Sequence, residues 1–390
     1  MKWLKDNLIY LTIAGSRSYG MANEMSDLDI KGIVIPPPEI EHHLYNRFEQ
    51  AENNSEINAI VTHMANPKNP KIEGTVYSLR KFFLLAAEVN PNIIELLFTD
   101  ESDHVIMTPT MRRLMEKRML FLSNKARYTF SGYSAAQLKK IERHHKWIVI
   151  GEMQPPRRED FGLPPVPERG LDEVFGHIKA TVESWNLNQF PLEEMDRAEL
   201  KDTIWELMSN VADKEISIAN WPDVYAEAVI HKMAKEFSLK DELVQYIYNE
   251  RSYAKAKQVY DSWVLWKKER NPARRELEIK SGYDTKHAAM LVRLLRVGYE
   301  ILATGKVRVN RTGIDADELL AIKNGLWSFE KVIEYKDEME KKLDVEYARQ
   351  KALLAEGKPT PIRREVDKVK LNEFYHDIYN EYWSHPDYRD

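Results

Sequence analysis

Ile9 to Ile35 reads IYLTIAGSRSYGMANEMSDLDIKGIVI, and this stretch restricts the fold more than any other. An apolar run, Ile9 to Ala14, ends in Gly15-Ser16. A polar loop from Arg17 to Met25 follows, and Ser26-Asp27-Leu28-Asp29 then opens a second apolar run, Ile30 to Ile35. β-branched residues bounded by Gly and Ser predict strand, turn, strand. Strand side chains alternate faces, so Asp27 and Asp29 point the same way. Two carboxylates so close repel and raise each other's pKa unless a cation lies between them. A divalent ion bound by carboxylates and substrate phosphates relieves that repulsion. At Gly15-Ser16 the backbone can approach a ligand, and free N–H groups with a hydroxyl can hold phosphate. A phosphate cradle beside a metal-binding carboxylate pair suits phosphoryl or nucleotidyl transfer. The plain alternative is an exposed strand end with ordinary turn chemistry.

Composition narrows the classes. A chain of 390 residues has room for two or three domains. Its net charge of −5 carries no global nucleic-acid signature. It has no cysteine, which excludes disulfides, thiolate zinc sites and cysteine nucleophiles. No apolar stretch approaches the roughly 20 residues that span a bilayer, and MKWLKDN lacks a signal-peptide core. The expectation is a cytoplasmic protein with no membrane partner.

Pro36-Pro37-Pro38 ends the second strand. A short helix is expected at Glu39–Tyr45 and a short strand near Ile57–His63. His42 and His43 read as exposed loop residues. Ile72 to Phe83, IEGTVYSLRKFF, predicts a strand leading into a helix that ends near Asn90-Pro91. Glu73 lies where a third strand would bring a third carboxylate to the Asp pair. Glu95, among apolar neighbours, competes for that role or is a buried structural acid. From Arg112 the pattern turns helical. A Pro-rich excursion spans 154–169, and Leu239 to Arg270 reads as one long helix or two in series. Trp185, Trp205, Trp221 and Trp263 read as core rather than as platforms for bases.

Ser281 to Thr304, SGYDTKHAAMLVRLLRVGYEILAT, is the second informative stretch. Asp284 or Thr285 is a good N-cap and Gly305 a C-cap. Lys286 and Arg293 are a heptad apart, which leaves them about 20° out of line on a helix. They share a face, with His287 and Arg296 to either side. Such a face can clamp a triphosphate, or be merely solvated. Lys306–Asn310 is expected to form a short strand, and helix resumes over Glu318–Leu343 and again at Val366–Trp383.

Four blocks carry a resemblance: GSRSYGMANEMSDLDIKGI, TVYSLRKFFLLAAEVNPNIIELLF, KARYTFSGYSAAQLKKI and SGYDTKHAAMLVRLLRVGYEIL. Together they resemble the RNA-repair-pathway branch of the DNA polymerase β-like nucleotidyltransferases, found in bacteria and phages. The resemblance implies an α/β (α+β) fold, with a small mixed β-sheet core flanked by helices and then a mostly α-helical domain. The expected division is a nucleotidyltransferase core at 1–110, a helical domain at 111–345 and a helical tail at 346–390. It implies Mg²⁺ or Mn²⁺ on Asp27, Asp29 and Glu73, although the superfamily usually has Asp at the third position. It further implies nucleotide contacts from Gly15, Ser16, Arg17, Lys286, His287 and Arg293. The implied reaction moves a nucleoside monophosphate from a nucleoside triphosphate to an acceptor hydroxyl, most readily an RNA 3′ end. A toxin-like enzyme modifying protein and a non-catalytic nucleotide-binding module are the other readings.

Overall fold

The first apolar run forms strand β1 (Leu8–Ala14), buried along its whole length. A strand covered on both faces has no reason to alternate, which is why the run is unbroken. The structure, a computed structural model, describes residues 3–163, 165, 241–270 and 272–384. β1 pairs antiparallel with β2 (Leu28–Val34). β3 (Gln50–Glu52), β4 (Ile72–Ser78) and β5 (His104–Met107) complete a five-stranded sheet in the order β3-β4-β2-β1-β5. β4 runs parallel to β2 and the other pairings are antiparallel, so the sheet is mixed.

The parallel pair needs a crossover, and helix α1 (Ser55–Val61) lies within it. The strand expected near Ile57–His63 is therefore a helix. Asn54 caps it by accepting from the backbone N–H groups of Glu56 and Ile57. Ile57 and Val61, four apart, are both buried, which is the helical period. They pack on one sheet face with Leu11, Ile13, Leu28 and Ile30. The other face carries Ile9, Tyr10 and Ile33 with Phe82 and Phe83 of α2 (Leu79–Ala87). The short helix expected at Glu39–Tyr45 covers only Pro38–Glu41. α3 (Pro109–Glu116) and α4 (Ala126–Ile150) follow β5.

Two compact units emerge, Met1–Val149 with Ala273–Asp390 and Ile150–Pro272. In the second, α5 (Asp241–Glu269) is the expected long helix. Phe161 packs edge-on against Tyr253, and Trp263 is buried as expected. Trp185, Trp205 and Trp221 lie outside the described residues, as do residues 164 and 166–169 of the Pro-rich excursion.

In the first unit α6 (Pro272–Ser281) leads into α7 (Thr285–Thr304). The side chain of Asp284 accepts from the His287 N–H, and Gly305 closes the helix at φ +68°. Lys306–Asn310 forms no strand. Val307 and Val309 alternate into the core as strand residues would, but no strand lies beside them among the described residues. α7 packs on α8 (Ala316–Lys323) and α9 (Phe329–Ala355). α10 (Lys368–Ser384) returns to α2 and α3. It is anchored there by Tyr375 to Glu41 (2.8 Å) and by Tyr382 to Asn7 (3.1 Å). Among the described residues no helix is long and apolar enough to cross a membrane.

Candidate active site

The site is built where β1 ends and β2 begins. Ala14 pairs with Asp29, and on the other side of β2 Asp29 pairs with Glu73 of β4. Partners in register share a face, so the Asp29 and Glu73 carboxylates stand side by side. Gly15, at φ +64°, turns the chain away from the sheet. A Cβ there would lie 1.9 Å from Oδ2 of Asp29. Only glycine leaves that space open and adopts that backbone without strain.

Gly15–Ser18 is a single helical turn. Ser18 donates its hydroxyl to the Gly15 carbonyl (3.0 Å), and the Met21 N–H donates to Ser16 (2.8 Å). The Ser16 hydroxyl has no hydrogen-bond partner among the described residues. Arg17 donates to the Met64 carbonyl (2.9 Å), so it fastens the turn to the segment before β4.

Asp27, just ahead of β2, accepts from the Asn69 amide (2.6 Å). Lys71 pairs closely with Glu73 and stands 3.9 Å from Asp27. Burial and the charges of Glu73 and Asp27 lift the Asp29 carboxyl above its ordinary range, against Lys286 and Lys31. The donor set is all carboxylate oxygen, which suits a hard divalent cation. The Asp29 carboxylate packs against Gly15 so closely that any side chain there would displace it. The three carboxylates do not converge as closely as His144, Asp284 and His287. These three form the one such group among the described residues with ligand atoms all within 4.8 Å. That second group is a hydrogen-bond knot rather than an ion site. Asp284 is completely buried and accepts from His144 (2.7 Å), from Arg274 (2.9 and 3.1 Å) and from the His287 N–H. Both its oxygens are already taken.

Residues 4–150 match the model of the RNA repair pathway DNA polymerase beta family. This segment belongs to the DNA polymerase β-like family. No curated protein and no solved structure matches the chain. The polymerase β-like segment contains the whole sheet, the Gly15 turn and all three carboxylates, and it ends with α4.

Beyond that segment, the fold divides the basic face of α7. Lys286 is exposed, and its charge acts on Asp29. His287 is turned inward, with Nδ1 on the Gln137 amide oxygen (2.8 Å). Burial pushes its pKa down to about 4, so the ring is neutral. Arg293 is 2% exposed, paired with Glu95, and its guanidinium lies 3.7 Å from the centre of the Tyr19 ring. The second oxygen of Glu95 accepts from the Tyr19 hydroxyl (2.8 Å). Both oxygens of Glu95 are therefore occupied.

Two residues escape a reading of the sequence. Lys31 follows Asp29 by two on β2, so it shares that face, and it donates to the Asn92 carbonyl (3.3 Å). The D-x-D-x-K alternation carried that signal. Lys323 ends α8 and donates to the Met21 carbonyl (3.3 Å). No local pattern could have revealed it, because its partner is 302 residues away.

Proposed function

We propose that this protein transfers a nucleoside monophosphate from a nucleoside triphosphate to an acceptor hydroxyl, with release of pyrophosphate. The acceptor is an RNA 3′ end, following the RNA repair context of the family its N-terminal segment belongs to. The observation that supports this best is the register of Asp29 with Glu73 beside a glycine turn that only a residue without a Cβ lets the Asp29 carboxylate approach.

In this reading Asp27, Asp29 and Glu73 hold Mg²⁺ or Mn²⁺. Bound there, the ion neutralises phosphate charge and lowers the pKa of the attacking hydroxyl. Glu73 is preferred to Glu95 because Arg293 and Tyr19 already occupy Glu95. Gly15 and Ser16 receive donor phosphate through backbone N–H groups and the Ser16 hydroxyl. Arg17 keeps the turn in place through Met64. Lys286 reaches the phosphates, while His287 and Arg293 fix α7 against α4 and Glu95. Most of the acceleration comes from positioning and charge neutralisation, as phosphoryl transfer generally requires.

The test incubates the full chain with each α-labelled nucleoside triphosphate, Mg²⁺ or Mn²⁺, total RNA and a protein lysate. Label should appear on RNA and disappear with Asp27→Ala/Asp29→Ala. Label on protein would replace the acceptor. Triphosphate binding without any transfer would leave a regulatory module.

A further inference from the structure

Two lysines at the edge of the site lack the partners that surround most other buried or half-buried cations of this unit. Lys323 is half-buried and Lys286 exposed. Neither has a carboxylate within 4 Å among the described residues. They come from neighbouring helix ends, because the Thr285 hydroxyl donates to the Lys323 carbonyl (2.7 Å) and Lys286 is the next residue after Thr285. Lys323 also reaches across to the Met21 carbonyl (3.3 Å). Met21 in turn closes the Gly15 turn through its N–H to Ser16 (2.8 Å). One chain of hydrogen bonds thus runs from the glycine turn through Lys323 to Thr285, the residue before Lys286. Burial and the charges of Lys286 and Arg274 hold the Lys323 ammonium below the ordinary lysine range.

A protein gains nothing in stability by pressing unpaired cations together. An anion arriving between them removes both the repulsion and the missing partnership. The anion must be compact and multiply charged to satisfy two ammonium groups whose charges already act on each other. A nucleic-acid backbone spreads single charges along its strand, whereas the end of a polyphosphate concentrates them. Lys323 is bonded to the turn that would receive donor phosphate, and the charge of Lys286 acts on Asp29, which would hold the cation facing that phosphate, so the rest of a donor's phosphate chain would lie near them.

We infer that Lys323 and Lys286 form a two-lysine clamp for the terminal phosphates of the donor, so that the site selects a nucleoside triphosphate and holds the departing pyrophosphate. This rests on the nucleotidyl-transfer reading of the Asp29 site. Lys323 contributes recognition of the leaving group, and its side chain is supplied by a helix outside the polymerase β-like segment.

Calorimetry on the full chain with Mg²⁺ tests the clamp, using pyrophosphate, α,β-methylene-ATP and AMP as probes. Lys323→Met should weaken pyrophosphate and α,β-methylene-ATP by about tenfold or more, the scale of one charge-assisted contact. AMP should change by less than about twofold, since it lacks the terminal phosphates. Lys323→Arg should retain most of the affinity, and Lys286→Met should behave like Lys323→Met. The unliganded Lys323→Met protein should melt at or above the wild-type temperature, which separates lost recognition from a damaged fold. Pyrophosphate binding unchanged in Lys323→Met would overturn the clamp, as would equal losses for AMP and pyrophosphate. Wild-type protein that transfers label while Lys323→Met matches it in every binding arm sinks the clamp alone. Wild-type protein that binds none of the probes and transfers no label sinks the nucleotidyl-transfer reading with it.

Discussion

Asp29 and Asp315 are both aspartates in charge clusters of the same unit, and their surroundings act in opposite directions. Asp315 receives Arg296 (2.8 Å) and Arg311 (2.6 and 2.9 Å), and Glu300 takes the remaining donors of Arg311. Those guanidinium groups hold the Asp315 carboxyl below its ordinary range despite burial. At Asp29, burial and two neighbouring carboxylates win, and the carboxyl is held above it. Lys323 is held low by burial and by other cations. The matched cluster is finished within the protein. The unmatched one keeps its repulsion at Asp29, which in the proposed reading a bound cation relieves.

The contrast is sharpest in the pair Asp29→Asn and Asp315→Asn. Asp29→Asn should reduce transfer by about a thousandfold or more, a scale reached when preorganised charge stabilisation is lost. Its melting temperature should stay level or rise, because an ionised carboxylate with a raised pKa opposes folding at neutral pH. A marked fall in melting temperature would break the comparison. Asp315→Asn should do the reverse. It orphans donors of Arg296 and Arg311 and should cost about 2–3 kcal/mol by denaturant unfolding, with transfer per folded molecule nearly unchanged.

A smaller effect concerns pH. His287 faces Asp284, Arg274, Lys140 and His144, and its pKa lies at about 4 in the folded protein. The unfolded chain takes up that proton near pH 6.5. Stability from the neutral ring is therefore complete above about pH 6.5 and is lost as pH falls from there toward about 4. Thermal melts across that window should show the loss, and His287→Gln should flatten it.

The sheet half of this site was legible because strand chemistry is local. The D-x-D spacing predicted one face for Asp27 and Asp29, although β2 begins only at Leu28 and leaves Asp27 just ahead of it, and IEGTVYS announced β4 with Glu73 on it. The N-cap at Asp284 and the glycine stop at Gly305 marked α7 at both ends. What could not be read was which face of α7 the core would claim. Arg293 lies two turns beyond Lys286, yet Glu95, 198 residues away, draws it inside. The strand expected at Ile57–His63 is a helix, decided by the Asn54 cap and the spacing of Ile57 and Val61. Lys306–Asn310 has the alternation of a strand but no strand to pair with among the described residues.

The tyrosines of α10 carry a consequence for how the chain is made. Tyr375 and Tyr382 reach Glu41 and Asn7, and Phe374 packs beside Phe83 at 5.8 Å between ring centres. A ribosome must therefore deliver nearly the whole chain before the first strands and α2 receive their last covering helix. Until then the side of Phe83 that Phe374 and Tyr375 cover lies open. Contacts of such long range slow folding and leave apolar surface open to other chains while it proceeds. The nascent protein has its greatest need of a chaperone just before α10 emerges.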